Sequence, residues 1–338
     1  MQITYDKRYQ DPSLIPEGHE PGEVKKSFGK KVLKVLADQK GYIYLLPAII
    51  LLAIFTFYPF FKTVVISFLD GYKATLVSAG ASFNVGVQNY IDVVTYSGFK
   101  EILLNTLIIV VVTVPISTVL SLIIAVALNS IKPLRNFLQT IYFLPYVTNS
   151  IAIGMVFNVM FSFVRTGDGI ISTAGVFNSF LGLFNIAPID WIGAGAPKLN
   201  KMFVLCTYII WNALPFKIMI LLGALQSVNK QYYDAAKIES TPRLRVFTKI
   251  TVPLLSPMIA YVFTTSLIGA FKEYTSAVGI FGDDLRRFGM NTMVGYIYDS
   301  LTSSYQTGRA AAGAMILFVI IMVFTAINLY VNKKKVHY

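Results

Sequence analysis

The sequence predicts an all-α integral membrane protein with six transmembrane helices. Of its 338 residues 55% are hydrophobic and 14% are charged, whereas charged residues make up about a quarter of a soluble domain. The mean hydropathy is +0.62. Six segments are apolar over the roughly 20 residues that a helix needs to cross a hydrocarbon layer. Backbone groups in lipid must be hydrogen-bonded internally, so these segments are expected to be helices.

Two different segments precede the first crossing. Residues 1–24 are polar, with no apolar period, and predict a disordered cytoplasmic tail. Residues 25–40 place apolar side chains such as Phe28 and Val32 on one helical face among lysines, which predicts an amphipathic helix at the membrane surface. No apolar core directly follows the first residues, so a signal peptide is not expected.

The transmembrane domain is predicted over residues 41–332, with a basic tail at 333–338. Its crossings are expected near Tyr42–Phe68, Leu103–Leu128, Phe137–Val164, Met202–Leu225, Leu254–Phe281 and Ala310–Val331. Between the third and fourth crossings, from about Arg165 to Lys201, amphipathic stretches predict short interfacial helices.

Lysine and arginine are concentrated on one side of these crossings. That side includes the amino-terminal flank, the loop at residues 227–257 and the carboxyl-terminal lysines. Because basic loops stay inside the cell, both termini and this loop are predicted to be cytoplasmic. Membrane orientation also explains the net charge of +12 better than nucleic-acid binding, since no basic fold with interleaved aromatics is evident.

Residues 227–257 are expected to form two short helices with a sharp break. Asn229 is a candidate N-cap for the first helix. Ser240, Thr241 and Pro242 supply the break, and the second helix is predicted to run from Pro242 until Pro253 interrupts it. Within it, three apolar residues are expected to share one face: Phe247, Ile250 and Leu254.

The same loop carries a resemblance to a known family. Asp234-Ala235-Ala236-x-x-Glu239-Ser240-Thr241, followed by Phe247-x-x-Ile250-x-Val252-Pro253, resembles the EAA loop of the membrane subunits of bacterial ATP-binding-cassette importers. Five further short motifs resemble those of the maltose-type carbohydrate permeases. They lie at Gly41–Pro47, Asn105-Thr106, Phe143–Tyr146, Gly223–Gln226 and Gly269–Lys272. Ser240 departs from the usual glycine, and a residue with a side chain resists positive φ.

The resemblance implies a type I importer permease fold with cytoplasmic coupling helices in a bacterial cell membrane. The expected partners are a second homologous permease, two cytoplasmic ATP-binding subunits and an extracytoplasmic solute-binding protein, with a sugar, such as an oligosaccharide, as solute. The chain has no G-x-x-x-x-G-K-[ST] loop. ATP and magnesium are therefore expected on the partner ATPase, with no cofactor or enzyme activity in this chain. The residues expected to couple to the ATPase are Tyr233, Asp234, Ala235, Ala236, Glu239, Ser240 and Arg243.

Residues 211–216 resemble the W-x-G-x-P-[FY] stretch that such permeases present to sugar. Carried over by motif, the predicted substrate pathway comprises Trp211, Asn212, Ala213, Phe216, Ser266, Ala270 and Glu273. Sugar sites combine an aromatic face with amide and carboxylate groups for hydroxyls. Packing of Trp211 and Phe216 against neighbouring helices is the alternative interpretation.

Three ionisable residues lie inside predicted crossings, namely Lys217, Lys272 and Glu273. A charge at the bilayer centre costs about 2.5–3.5 kcal/mol on insertion scales, so such groups usually face a cavity or a partner. For Lys217, substrate contact and pairing with another subunit both remain open. Lys272 could instead extend to the outer surface. Lys272 and Glu273 are adjacent, and adjacent side chains on a helix point about 100° apart, so both are not expected to face one cavity squarely.

Other classes of protein are less consistent with the sequence. The same architecture could carry a phosphodiester or a polyamine. An ion-coupled secondary carrier usually shows paired repeats, which are not found. A membrane enzyme would need a histidine or carboxylate cluster at a membrane face. One cysteine, Cys206, excludes an intrachain disulfide, and two histidines near the termini make a histidine-based metal site unexpected.

Overall fold

The computed structural model describes residues 40–77, 80–131, 135–165, 171–302 and 305–335. The predicted tail at residues 1–24 lies outside this part, as does the predicted amphipathic helix except for its last residue. The chain divides into two compact units, Met1–Phe61 and Lys62–Tyr338.

The first unit contains the start of the first crossing. Helix α1 (Lys40–Leu52) continues through a π-helical turn at Ala53–Phe57 into α2 (Tyr58–Ser67). Pro59 has no N–H group, and its ring would clash with the carbonyl four residues earlier in a regular helix. The wider π-turn comes immediately before it, so the helix stays continuous. Tyr44–Ser67 is long and apolar enough to span a membrane.

The second unit consists mostly of helices. In chain order they are α3 (Ala74–Val77), α4 (Gln88–Val94), α5 (Phe99–Ser130), α6 (Arg135–Val147), α7 (Ser150–Met160), α8 (Val176–Gly182), α9 (Lys198–Ser227), α10 (Gln231–Ile238), α11 (Arg243–Val246), α12 (Val252–Leu254), α13 (Ser256–Phe271), α14 (Thr275–Phe281), α15 (Met293–Thr302) and α16 (Thr307–Lys335). A π-turn at Phe247–Thr251 joins α11 to α12. Helix α16 includes Lys333–Lys335, so the predicted basic tail begins as helix.

Four helices among the described residues are long and apolar enough to cross a membrane, and two bent pairs raise the number to six. The prediction of an all-helical membrane protein with six crossings is therefore consistent with the structure. The crossings expected at Phe137–Val164 and Leu254–Phe281 are each interrupted in the structure. In the third, Gln139–Val147 and Ser150–Met160 meet at 100°. Asn149 starts the second half by accepting hydrogen bonds from the N–H groups of Ile151 (2.8 Å) and Ala152 (3.4 Å).

The third crossing also ends earlier than expected, at Met160 rather than Val164. Two short antiparallel strands follow it, β1 (Phe163–Arg165) and β2 (Ile171–Ala174), with Phe163 opposite Ala174. Of the interfacial helices predicted after Arg165, the structure contains α8. The rest of the predicted stretch, where described, is hairpin and loop before α9.

The fifth crossing is interrupted at both ends. At its start, Arg243–Leu254 and Ser256–Phe271 meet at 71°. Helix α13 ends at Phe271, and α14 begins at Thr275 after a break at residues 272–274. Lys272 and Glu273 therefore lie in this break and not on a helix, which corrects the expected 100° separation. Helix α14 packs on α7 at a contact without side chains, where a Cβ atom added to Gly154 would lie 2.6 Å from the Cα of Gly279.

Helices α5 and α9 pack along their length at the centre of the second unit. Two side chains of α5 also fix the segment before α15. The amide of Asn105 donates to the carbonyls of Gly289 (3.0 Å) and Asn291 (2.9 Å). The hydroxyl of Thr106 accepts the N–H of Met293 (3.0 Å). The Asn105-Thr106 motif thus joins α5 to the start of α15, which is far away in the chain.

Candidate functional site

A cavity of about 260 Å³ lies between α5, α6, α9 and α13. Its lining includes six of the seven residues predicted for the substrate pathway, namely Asn212, Ala213, Phe216, Ser266, Ala270 and Glu273. The other lining residues are Thr113, Val114, Ser117, Tyr146, Ile209, Lys217, Thr265 and Gly269. The structure thus brings together two predicted groups that are about fifty residues apart in the sequence.

Helical spacing explains why these residues meet. On α13 and just beyond it, Ser266, Ala270 and Glu273 are separated by four and three residues, which places them on one side. On α9, Asn212 and Phe216 are four residues apart and face the same cavity. The cavity is therefore formed mainly by helix faces, and Glu273 is added from the break that follows α13.

The predicted residue Trp211 does not line the cavity. Its ring packs 5.7 Å from the ring of Phe157 on α7, which matches the alternative interpretation from the sequence. Phe216 does line the cavity, and its ring stacks on Tyr146 with centroids 5.6 Å apart. The pair forms an aromatic wall of the kind that suits the C–H face of a sugar ring.

The polar groups of the cavity differ in the hydrogen-bond donors and acceptors that they leave available. Ser266 donates its hydroxyl hydrogen to the carbonyl of Val262 (2.6 Å), so its oxygen faces the cavity mainly as an acceptor. The half-buried Asn212 side chain forms no hydrogen bond within the described part of the chain. Glu273 accepts the N–H of Ser276 (3.0 Å) and keeps further acceptor capacity. The cavity can therefore both donate to and accept from hydroxyl groups.

Sequence reasoning missed the hydroxyl groups of α5 and the aromatic ring of α6. Thr113 and Ser117 are four residues apart inside an otherwise apolar crossing, and this spacing was the available signal. Tyr146 is the last residue of the Phe143–Tyr146 motif, which is part of the family resemblance. Lys217 was recognised as a charge inside a crossing, and the structure places it in the cavity wall.

The loop at residues 227–257 contains the two predicted helices. As expected, Asn229 accepts a hydrogen bond from the N–H of Gln231 (3.0 Å) at the start of α10. The second helix begins at Arg243, one residue later than predicted. The hydroxyl groups of Tyr233 and Thr251 form a long hydrogen bond (3.4 Å) between the two helices. The loop is thus a folded unit with fixed internal contacts.

Ser240 keeps the turn that glycine would usually make. Its φ angle is +50°, and its N–H bonds to the carbonyl of Lys237 (3.0 Å), while the N–H of Thr241 bonds to the carbonyl of Ala236 (2.9 Å). This is the Schellman pattern of helix termination. The substitution of serine for glycine therefore leaves the turn in place, with the conformational cost of a left-handed serine.

The π-turn changes which residues of the second helix are buried. Pro253 was expected to interrupt this helix, but the π-turn at Phe247–Thr251 precedes the proline and α12 continues to Leu254. A π-turn contains one more residue than an α-turn. Leu254, which was predicted to share a face with Phe247 and Ile250, is exposed, and the next residue, Leu255, is buried. Leu255 and Phe247 pack with the cluster formed by α5 and α9.

The surface of the 227–257 loop that does not pack on α5 and α9 exposes apolar side chains. Ile238 is 83% exposed and Leu244 is 75% exposed. Of the predicted coupling residues, Asp234, Ala235, Glu239, Ser240 and Arg243 are exposed, Tyr233 is partly buried and Ala236 is buried. Ala236 therefore cannot offer its own side chain to a partner. Ile238 and Leu244 were not among the residues predicted to couple to the ATPase, although both are apolar and lie beside polar residues of the loop.

A mostly helical membrane protein with a polar cavity between its crossings, and with exposed apolar side chains on a loop outside them, is built like a transport subunit. The sequence profile of the family described as binding-protein-dependent transport system inner membrane component matches residues 117–337. Since this is more than half of the chain, the protein belongs to that family.

Individual relatives agree with this assignment. The arabinooligosaccharide transport system permease protein AraP of Bacillus subtilis is 28% identical over 295 residues, which cover 85% of this chain and 87% of AraP. The lactose transport system permease protein LacF of Rhizobium radiobacter is 33% identical over 245 residues, which cover 72% of this chain and 76% of LacF.

A solved structure has a similar fold. It is a chain of a bacterial alginate ABC transporter in complex with an alginate pentasaccharide-bound periplasmic protein. The TM-score is 0.72 at 19% identity, and the match covers 89% of this chain and 96% of that chain. The similarity supports the predicted importer permease fold.

Proposed function

We propose that this chain is the membrane-spanning permease subunit of an ATP-driven, binding-protein-dependent sugar importer. The observation that carries the proposal is the cavity at α9 and α13, where six residues predicted for a sugar pathway lie together. An aromatic wall, a free amide and a carboxylate suit the two faces of a sugar ring. The relatives named for arabinooligosaccharide and lactose transport favour the same solute class.

The energy for transport would come from another subunit. The chain would form half of the translocation pathway with a second homologous permease, receive solute from an extracytoplasmic binding protein and contact one of two cytoplasmic ATP-binding subunits. Those subunits would bind ATP and magnesium. In this arrangement both termini and the 227–257 loop are cytoplasmic, in a bacterial cell membrane.

The 227–257 loop would transmit motion from the ATPase. Its outer face exposes Ile238 and Leu244 for docking, and its inner face packs through Phe247 and Leu255 on α5 and α9. Those same helices line the cavity. Closure of the ATPase could thus rock the cavity helices as a body, which is a recognised way of switching between states.

Reconstitution of the assembled importer in liposomes tests this proposal. Replacing the exposed carboxylate Glu239 by lysine should abolish binding-protein-stimulated ATP hydrolysis and sugar uptake, while insertion of the chain into the membrane is retained. Glu239→Asp keeps the carboxylate and should keep coupling. Unchanged uptake in Glu239→Lys would refute the role of the loop, and uptake driven by an ion gradient without ATP would refute the importer class.

A further inference from the structure

The solute cavity contains two opposite charges that are not paired with each other. Lys217 of α9 and Glu273 of the break after α13 both line it. Glu273 accepts the N–H of Ser276 (3.0 Å), and the ammonium group of Lys217 donates to the hydroxyl of Ser117. Each charged group thus has a neutral partner within this chain.

Lys217 is the less satisfied of the two. It is 4% exposed, and an ammonium group has three donors, of which one is used on Ser117. No carboxylate of the described residues forms an ion pair with it. An ion without a counter-charge in a low-dielectric interior is strongly destabilised. A negatively charged group in the cavity would remove much of this penalty.

Lys217 lies in the wall of the same cavity as Glu273 and the aromatic pair. A solute held against those groups would therefore lie beside the lysine. The volume of about 260 Å³ is just below that of pockets for drug-sized ligands, which begin near 300 Å³, so one sugar ring fits this space better than a chain does.

The second charge restricts what the solute can be. Glu273 disfavours an additional negative charge on its side of the cavity and accepts hydrogen bonds from hydroxyl groups. One lysine, without an arginine fork, suits a single negative charge better than a phosphate. A ring with one carboxylate and several hydroxyl groups satisfies both ends of the cavity.

We propose that the imported sugar contains a uronic acid unit whose carboxylate pairs with Lys217 and whose hydroxyl groups donate to Glu273. This inference rests on the proposed function, since it names the substrate class of the same cavity. Lys217 is then the residue that selects acidic sugars over neutral ones.

The test measures uptake by the complete importer, with its binding protein, of three labelled classes: neutral, uronate-containing and phosphorylated oligosaccharides. Uronate-containing sugars should be taken up. Lys217→Met removes the charge and keeps the apolar stem, and should lower their uptake about tenfold or more, as expected for a lost charge-assisted hydrogen bond. Lys217→Arg should retain part of the uptake. Lys272→Met, at an exposed lysine outside the cavity lining, is the matched control and should behave as the unaltered protein.

Each contrary result has a distinct meaning. Uptake of neutral but not uronate sugars overturns the inference and leaves the proposed function standing, whereas ATP-driven uptake of no sugar overturns the function itself. Preference for phosphorylated sugars overturns the carboxylate assignment. Loss of the second permease from purified Lys217→Met would show that the lysine serves assembly, and would also overturn the inference.

Discussion

The cavity between α5, α6, α9 and α13 and the 227–257 loop are built in opposite ways. The cavity collects side chains from α5, α6, α9 and α13, so its shape depends on packing between elements distant in the chain. The loop is shaped by neighbouring residues, through the cap at Asn229 and the turn at Ser240. Part of its apolar surface, at Ile238 and Leu244, is exposed, whereas the cavity lies between helices. The cavity should therefore be sensitive to backbone spacing and the loop to surface chemistry.

The largest effect is expected where packing between helices is closest, at the contact between α7 and α14. A Cβ atom at Gly279 would lie 2.9 Å from the Cα of Gly154 and 3.0 Å from the carbonyl oxygen of Ile151. Overpacking typically costs about 1–3 kcal/mol, and Gly279→Ala is expected near the upper end because backbone atoms cannot move aside. Thermal unfolding of the purified protein should show this loss.

Gly223→Ala is the control for that experiment. It lies inside α9, and a Cβ atom there meets nothing within 4 Å. It should leave stability unchanged or raise it slightly, since alanine favours helix. Equal melting temperatures for the two variants would contradict the close contact between α7 and α14.

The loop should instead respond to a change of surface. Ile238→Asp replaces an 83% exposed apolar side chain and should leave thermal stability unchanged. Burial of such a side chain in a complex is worth about 1.5–3 kcal/mol, so binding of the ATPase subunits should weaken about tenfold or more. Leu199→Asp, at the far end of α9 and 79% exposed, should not affect this binding. A similar weakening in both variants would show a general effect of added charge.

A smaller effect is expected at the turn between the loop helices. Ser240 has φ of +50°, which costs a residue with a side chain about 1–2 kcal/mol. Ser240→Gly should therefore stabilise the protein by about 1 kcal/mol in denaturant unfolding. Ser227→Gly, at the last residue of α9, should destabilise it instead. Destabilisation by Ser240→Gly would show that the serine makes a contribution beyond its backbone conformation.

The smallest effect concerns a pair outside both regions. Burial raises the pKa of Asp92, but hydrogen bonds from Gln88 and Arg309, together with the Arg309 charge, outweigh this and lower the pKa overall. A lowered folded-state pKa stabilises the protein above the unfolded value and loses that effect as pH falls through the folded value. Arg309→Gln should thus cost under about 1 kcal/mol at pH 7, and less below about pH 4. A difference that grows in acid would contradict this sign.

Much of the loop was predictable because its signals are local. The carboxylates, the small residues and the Ser240-Thr241-Pro242 break stand within a few residues of one another, and the helices follow them. The π-turn was not predictable from the apolar period, since it shifts burial from Leu254 to Leu255 by adding one residue to a turn. Pro253 predicts an end to the helix, whereas in the structure a π-turn precedes it and the helix continues to Leu254.

The cavity was predictable in part. Helical spacing and the family words identified the α9 and α13 faces, but adjacent Trp211 packs on Phe157, because one residue along a helix turns the side chain by about 100°. The break at residues 272–274 has no proline or glycine to announce it. Hydroxyl residues such as Thr113 and Ser117 are common in membrane helices, where they bond to their own backbone, so their presence alone did not indicate a site.

The contact between Gly154 and Gly279 has a consequence for how related sequences can diverge. Neither position can acquire a methyl group while the two main chains remain this close. An alignment of relatives should show the two positions constrained together, whereas Gly223, which borders open space, should drift. The two positions, which lie in different crossings, should therefore stay glycine together or change together.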